Sequence, residues 1–244
     1  MDFLNQRKKY KVNCMLCGED LVYGESYEDV DCIYCNNKFN SNVTCKDGHY
    51  VCDSCHSLKG VELILTYCKS TDKTNPIEIA VDIMKSKNFY MHGPEHHFLV
   101  PAALITSYYN NIGETSELKE KGLLIAKKRS EDIKGGFCGF YGNCGAAVGT
   151  GIFMSIITST TPLTKKTWGI TNEITGRSLI KISELGGPRC CKRNLFTAIR
   201  QATEFVDKKL NVKLYDYEDF KIVCDFSKLN SECIGKECPY NLYK

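Results

Sequence analysis

The chain has 244 residues, 43% hydrophobic and 25% charged, with a formal net charge of +3. That balance fits one or two folded domains with a real core, excludes a disordered polyampholyte, and is too mild to argue for nucleic acid by itself. No apolar run reaches the ~18 residues of a membrane span, and the start, MDFLNQRKKYKVNC, has no apolar signal-peptide core, so a cytoplasmic protein without a membrane partner is expected. Fifteen cysteines are many for such a chain. Thiols stay reduced in that compartment, where clustered cysteines serve as metal ligands or catalysts rather than disulfides.

Residues 1–60 read as a small zinc-ribbon-like head of short strands and cysteine knuckles. The pairs CMLC and CIYC are followed by CKDGHYVCDSC, which offers Cys14, Cys17, Cys32, Cys35, Cys45, His49, Cys52 and Cys55. Each Cys-x2-Cys pair presents two thiolates to one ion, and zinc takes four such ligands, so eight ligands make two closed sites. The sequential pairing puts Cys14, Cys17, Cys32 and Cys35 on one ion and Cys45, His49, Cys52 and Cys55 on the other; a cross-braced pairing is the alternative, with His56 a spare for His49. A head this small has little core, so metal supplies much of its folding energy. Its basic residues are few beyond QRKKYK, which favours a protein partner for the head over duplex nucleic acid.

After a polar linker at 69–76, residues 70–244 read as a mainly α-helical domain with a short α+β cysteine-rich tail. Pro76 suits a helical first turn, and Ile77, Ala80, Val81 and Met84 have helical spacing. A second helix is expected from about Pro94, bent near Pro101, and a third over SELKEKGLLIAKKRSEDI, with its Glu-to-Lys spacings. CGAAVGTGIFMSIITST reads as a buried helix. TNEITGRSLIKISELGG reads as a helix capped by Asn or Thr and ended by a glycine pair. CCKRNLFTAIRQATEFVDKKLN is long and amphipathic, and the alternation of VKLYDYEDFKIVCD suits a strand or two.

Two glycine-rich segments carry thiols. GGFCGFYGNCGAAVGTG, residues 135–151, has seven glycines with Cys138 and Cys144; GGPRCCKR, residues 186–193, sets Cys190 and Cys191 at a helix start beside Arg189, Lys192 and Arg193. Glycine lets a ligand approach the backbone closely, and thiols at a basic helix N-terminus are expected to be acidic, reactive or metal-bound. Adjacent cysteines cannot face the same way on a helix, so one of Cys190 and Cys191 should point inward. The competing reading is close helix packing with cysteine as a small core residue.

The tail, Cys224-x8-Cys233-x4-Cys238-Pro239, resembles iron–sulfur ligation, with zinc as its direct competitor. Cys138, Cys144, Cys224, Cys233 and Cys238 are thus expected to hold a cofactor, converging on one iron–sulfur site with Cys190 or Cys191 as the reactive thiol. His92-x-x-Glu95-His96 matches the H-x-x-E-H zinc-protease pattern, but Gly93-Pro94 starts a helix between the two histidines. Glu95, His96 or His97 is instead expected at the core site as acid, base or ligand, with Arg189 and Arg193 favouring a small anionic substrate.

The motifs at 135–151 and 186–193, with the CPY tail and the cysteine-rich head, resemble a prokaryotic family with a domain of unknown function that occurs beside or joined to methyltransferase-like domains. The resemblance brings no catalytic residues, and GTGIF alone does not make an S-adenosylmethionine site. Three readings follow. The first is an iron–sulfur enzyme of sulfur or small-group chemistry, of desulfidase, sulfurtransferase or lyase type. The second is a zinc-stabilised binding or scaffold protein without catalysis. The third is a thiol redox enzyme using Cys190 or Cys191.

Overall fold

The structure, a computed structural model, describes residues 14, 16–17, 19–52, 55, 60–86 and 89–241. His56 and the basic run at 6–11 lie outside the described residues. The head is an antiparallel hairpin of β1 (Leu21–Asp31) and β2 (Lys38–Cys45), whose register pairs Leu21 with Cys45 and Asp31 with Lys38. The domain that follows is helical: α1 (Gly60–Ser70), α2 (Pro76–Met84), α3 (Glu95–Ile112), α4 (Ser116–Ser130), α5 (Phe137–Phe140), α6 (Gly145–Ile157), α7 (Lys166–Glu184) and α8 (Cys191–Leu210). Among the described residues, no helix is long and apolar enough to cross a membrane.

α3 is the central helix, in contact with α1, α2, α4, α6 and α8. Its residues from Phe98 to Ser107 are all buried, so it is apolar on every side, as an enclosed helix must be. Phe153 of α6 and Phe196 of α8 are fully buried in the same core, each contributing roughly 1.5–3 kcal/mol by removal from water. The head joins this core through Tyr34, whose ring meets Tyr67 of α1 edge-on at 5.9 Å. Ser70 Oγ donates to the Tyr34 carbonyl at 2.9 Å, and Asn36 Nδ2 to the Ser70 carbonyl at 2.8 Å.

The expected helix starts hold at α2, where Asn75 Oδ1 accepts from the Ile77 N–H at 2.9 Å ahead of Pro76, and at α3, which follows Pro94 and runs through Pro101. α1 was not expected. Its GVELILTYCKS ends inside the segment read as a linker, which shortens to residues 71–75. α7 begins at Lys166, ahead of the Thr171–Asn172 cap, and its own N-cap, Lys165, makes no side-chain hydrogen bond. The expected strand at 212–225 is absent among the described residues. The apolar alternation there buries Leu214, Tyr215 and Ile222 against the helical core, and the tail holds only a single bridge, Cys224 to Asn241, with short 3-10 turns at Ser227–Leu229 and Gly235–Glu237.

Candidate metal centres and a thiol-lined cavity

The hairpin dictates how the head's ligands group. β1 carries the chain away from Cys14 and Cys17 to Cys32 and Cys35 at the turn. β2 carries it back, so that Cys45 lies opposite Leu21. The result is two tetrads, Cys14–Cys17–Cys45–His49 and Cys32–Cys35–Cys52–Cys55, each with all its ligand atoms within 4.8 Å of one another. The pairing is therefore cross-braced, and the sequential pairing is corrected: a hairpin separates consecutive pairs by its own length and brings alternate pairs together.

Ligand spacing fits a single tetrahedral ion. Cys17 Sγ lies 3.7 Å from Cys45 Sγ, and His49 Nδ1 lies 3.3 Å from Cys45 Sγ and 3.4 Å from Cys17 Sγ. A tetrahedron with bonds of ~2.3 Å to sulfur has edges of about 3.8 Å. Backbone N–H groups already point at the sulfurs: Leu16 to Cys14, Cys52 to Cys32, and His49 to Cys45. Burial alone would raise the Cys14 thiol, yet N–H groups of Cys17 and Leu16 hold it below its usual value; burial pushes Cys17 up to about 12. One thiolate is thus favoured and its neighbour opposed, the pattern expected of thiols held in mutual contact.

In the helical domain, the two glycine–thiol segments meet. Cys138 and Cys144 line a cavity of about 760 Å³ that Gly186, Gly187 and Arg189 close from the other segment, a volume typical of small-molecule sites. Gly136 and Gly142 take φ of 85° and 63°, a region open to glycine and strained for other residues, and so turn the short α5 over the cavity mouth. The glycines of α6 do something else. A Cβ on Gly145 would lie 2.2 Å from the His97 ring, on Gly149 2.9 Å from Pro101 Cδ, and on Gly151 2.2 Å from Thr175 Oγ1. These three permit close helix packing, as the competing reading held, whereas Gly136, Gly139 and Gly142 belong to the cavity wall.

Sequence reasoning missed Asn194. From the first turn of α8 its Nδ2 donates to Cys144 Sγ at 3.4 Å, while its Oδ1 is buried without a hydrogen-bond partner and the residue lines the cavity. A buried acceptor left unpartnered costs roughly 1–3 kcal/mol, so this oxygen is open to a donor from the cavity side. Its position one helical turn from Cys190 was the available signal.

Cys190 and Cys191 meet different neighbours, because Cys190 is the extended N-cap and Cys191 the first residue of the helix. Cys191 approaches the Gly93 N–H and the Cys144 thiol; burial, together with the charges of Cys144 and Cys190, pushes it up to about 11. The expected acidic thiol is corrected for Cys191, where burial outweighs the Gly93 N–H and the Arg189 charge that favour the thiolate; Lys192 and Arg193 have other partners. Lys192 Nζ donates to the Tyr90 carbonyl at 3.0 Å and lies 3.1 Å from His96 Nε2; Arg193 donates to the carbonyls of Gly186 and Pro188. Arg189 alone of the three basic residues lines the cavity.

The histidine segment does not reach that cavity. His92 lies ahead of α3 with Nε2 3.1 Å from Asn230 Oδ1. His96 is buried with both ring nitrogens in use, Nδ1 3.0 Å from the Gly93 carbonyl and Nε2 against Lys192. Burial first, and the Lys192 ammonium second, hold its pKa well below the usual 6.5. The Glu95 carboxylate folds back over Gly93. The expectation that His96 or Glu95 faces the thiol site is therefore corrected: His96 positions Gly93 and Lys192 in the core. His97, with Nδ1 on the Ile133 carbonyl at 3.0 Å, packs on Gly145.

The tail does not converge on this cavity either. Cys224, Cys233 and Cys238 line a second, smaller space with Cys190. The thiols expected at one core-and-tail site thus line two separate spaces, Cys138 and Cys144 the larger and Cys190 with the three tail cysteines the smaller, while Cys191 lines neither.

Comparison with known proteins adds a family and no activity. No curated protein and no solved structure matches the chain. A family model matches residues 64–241, which include both glycine–thiol segments and the tail and exclude the head's ligands. The chain belongs to the family of unknown function DUF5714.

Proposed function

We propose that this protein is a metalloenzyme of sulfur or small-group chemistry, of desulfidase, sulfurtransferase or lyase type, with a zinc-braced head. One observation carries the reading: two glycine–cysteine segments some fifty residues apart form the walls of one ligand-sized cavity, with Cys191 beside Cys144. Cys138 and Cys144 line that cavity, and Cys191, which feels the charge of Cys144 without lining the cavity itself, would be the third thiol of an iron–sulfur cluster. Such a cluster with three protein ligands supplies an open iron, a Lewis-acidic position for a substrate. Asn194 Nδ2 orients the Cys144 sulfur and its Oδ1 is left to receive a substrate donor. Arg189 offers charge to a small anion. Leu179 and Ile182 give the cavity an apolar wall. In the head, the tetrahedral edges and thiolate-rich ligand sets favour zinc.

The test is purification of the full chain without oxygen, with measurement of iron, acid-labile sulfide, zinc and visible absorption. Brown protein whose colour falls in Cys144→Ala supports the reading; a colourless chain holding zinc alone removes it. Phe140 and Tyr141, 88% and 73% exposed at the cavity mouth, favour the scaffold reading in that event, since exposed aromatics suit a protein partner. Their replacement by Ser would then abolish partner binding and leave metal content unchanged.

A further inference from the structure

We infer that Cys190, Cys224, Cys233 and Cys238 form a third metal centre, a four-thiolate site for a thiophilic metal, separate from the cavity of the proposed function. The four thiols come from the N-cap of α8 and from three points of the tail, and they line one largely enclosed space walled by Met91, Phe196, Phe226 and Tyr240. That wall is apolar, as a site that must exclude water from a metal requires.

The strongest argument is local backbone geometry. In the head, the N–H two residues after a ligand points at its sulfur, Leu16 to Cys14 and Asn37 to Cys35. The same turn recurs at all three tail cysteines. Gly235 N–H donates to Cys233 Sγ at 3.4 Å, Phe226 N–H to Cys224, and Tyr240 N–H to Cys238. Cys190 Sγ accepts from the Arg193 N–H at 3.4 Å and from Asn230 Nδ2 at 3.6 Å. N–H donors aimed at sulfur stabilise thiolates. Cys68, a fully buried cysteine of α1, shows what a packing cysteine looks like: its thiol meets the Thr106 hydroxyl and no backbone N–H.

A second observation points to a bound group. Arg193 is 3% exposed and lines the same space, and its Nε–H has no hydrogen-bond partner. A four-thiolate centre carries net negative charge whether it holds zinc or an iron–sulfur cluster, and it would accept that orphaned donor. Thiolate ligands select both metals. Among the described residues, only the head tetrads bring three or more candidate ligand atoms within 4.8 Å of one another, so the tail sulfurs stand wider apart than a single-ion tetrahedron. Thiolates on the separate irons of a cluster stand roughly 6–7 Å apart.

This inference rests on the family domain alone and does not require the cavity reading, and one experiment separates them. The full chain is purified without oxygen as wild type, Cys233→Ala, Cys224→Ala and Cys144→Ala, and zinc, iron and sulfide are measured per chain, with helical circular dichroism and the head's zinc as folding controls. Either tail variant should lose one metal centre that Cys144→Ala retains: about four irons with their sulfide if the present wide spacing of the sulfurs holds a cluster, or one zinc ion if the sulfurs close in around a single metal on loading. A metal content unchanged in both tail variants overturns the inference. So does loss of the same iron by tail and Cys144 variants alike, which would mean one shared site. Iron lost in Cys144→Ala but not in the tail variants leaves the cavity reading standing alone.

Discussion

The head and the helical domain both gather thiols, but by opposite means. In the head, candidate ligands come as local pairs three or four positions apart, and the hairpin only decides which pair meets which. In the helical domain, each thiol comes singly from a different element: Cys144 caps α6, Cys190 caps α8, and the tail cysteines occupy successive turns. Local pairs leave a periodic trace that survives in sequence. Sites assembled from single residues leave none, and only packing reveals them. The head has little core of its own to hold its ligand sets together, while the cavity's walls are fixed by a helical core.

The largest effects should come from breaking the head's pairing. Cross-bracing predicts that Cys14→Ser with Cys45→Ser removes one zinc and leaves the other, whereas Cys14→Ser with Cys32→Ser removes both; sequential pairing predicts the reverse. Zinc stoichiometry of the two double variants decides it, and the variant without zinc should lose the head's protection from proteolysis while the helices persist.

Next comes the division between neighbours on α8. Cys191→Ala should behave like Cys144→Ala, and Cys190→Ala like Cys233→Ala, in metal content and in visible spectrum. Identical spectra from the two α8 variants would erase the division.

Smaller effects separate the two kinds of glycine. Gly145→Ala sets a methyl against the His97 ring and should destabilise by about 1–3 kcal/mol, read as a lower denaturation midpoint. Gly139→Ala meets nothing within 4 Å and should stay within about 0.5 kcal/mol of wild type while narrowing the cavity. Equal destabilisation by both would contradict the distinction.

The smallest effect is on pH. The folded His96 binds a proton well below 6.5 and the unfolded one near 6.5. Its contribution is fully present above 6.5 and declines below it, because the unfolded chain takes up the proton first. Stability should therefore fall more steeply from pH 6.5 downward in wild type than in His96→Gln, by at most about 1.4 kcal/mol per pH unit. Comparing the two proteins cancels the acid release of metal that both share. Parallel curves would show that His96 does not titrate differently on folding.

Much of the fold was legible where local signals were strong: the proline starts of α2 and α3, the amphipathic α8, and the head's ligand identities. α1 was hidden because its residues adjoin the polar run at 71–75 and carry no cap signal. The strand at 212–225 was misread because aromatic residues alternating along an irregular segment bury the same faces as a strand would, and no partner strand was available to pair with it. The cavity's thiols were legible as residues but not as a set, since a sequence does not say that Cys190 and Cys191 serve different neighbours. Asn194 carried no motif at all.

Lys192 and Arg193 have a consequence for charge balance. They are 1% and 3% exposed, and their hydrogen bonds run to neutral acceptors, with Lys192 also over the rings of Phe89 and Phe226 at 5.0 Å each. Two cations enclosed in this way are expensive unless negative charge stands nearby. Thiolates gathered at the start of α8 would provide it, and they persist as thiolates only when a metal holds them. On this reading a loaded metal centre adds the negative charge that the Glu95 carboxylate alone does not supply to two cations, so loading should tighten a helical core that already stands without it.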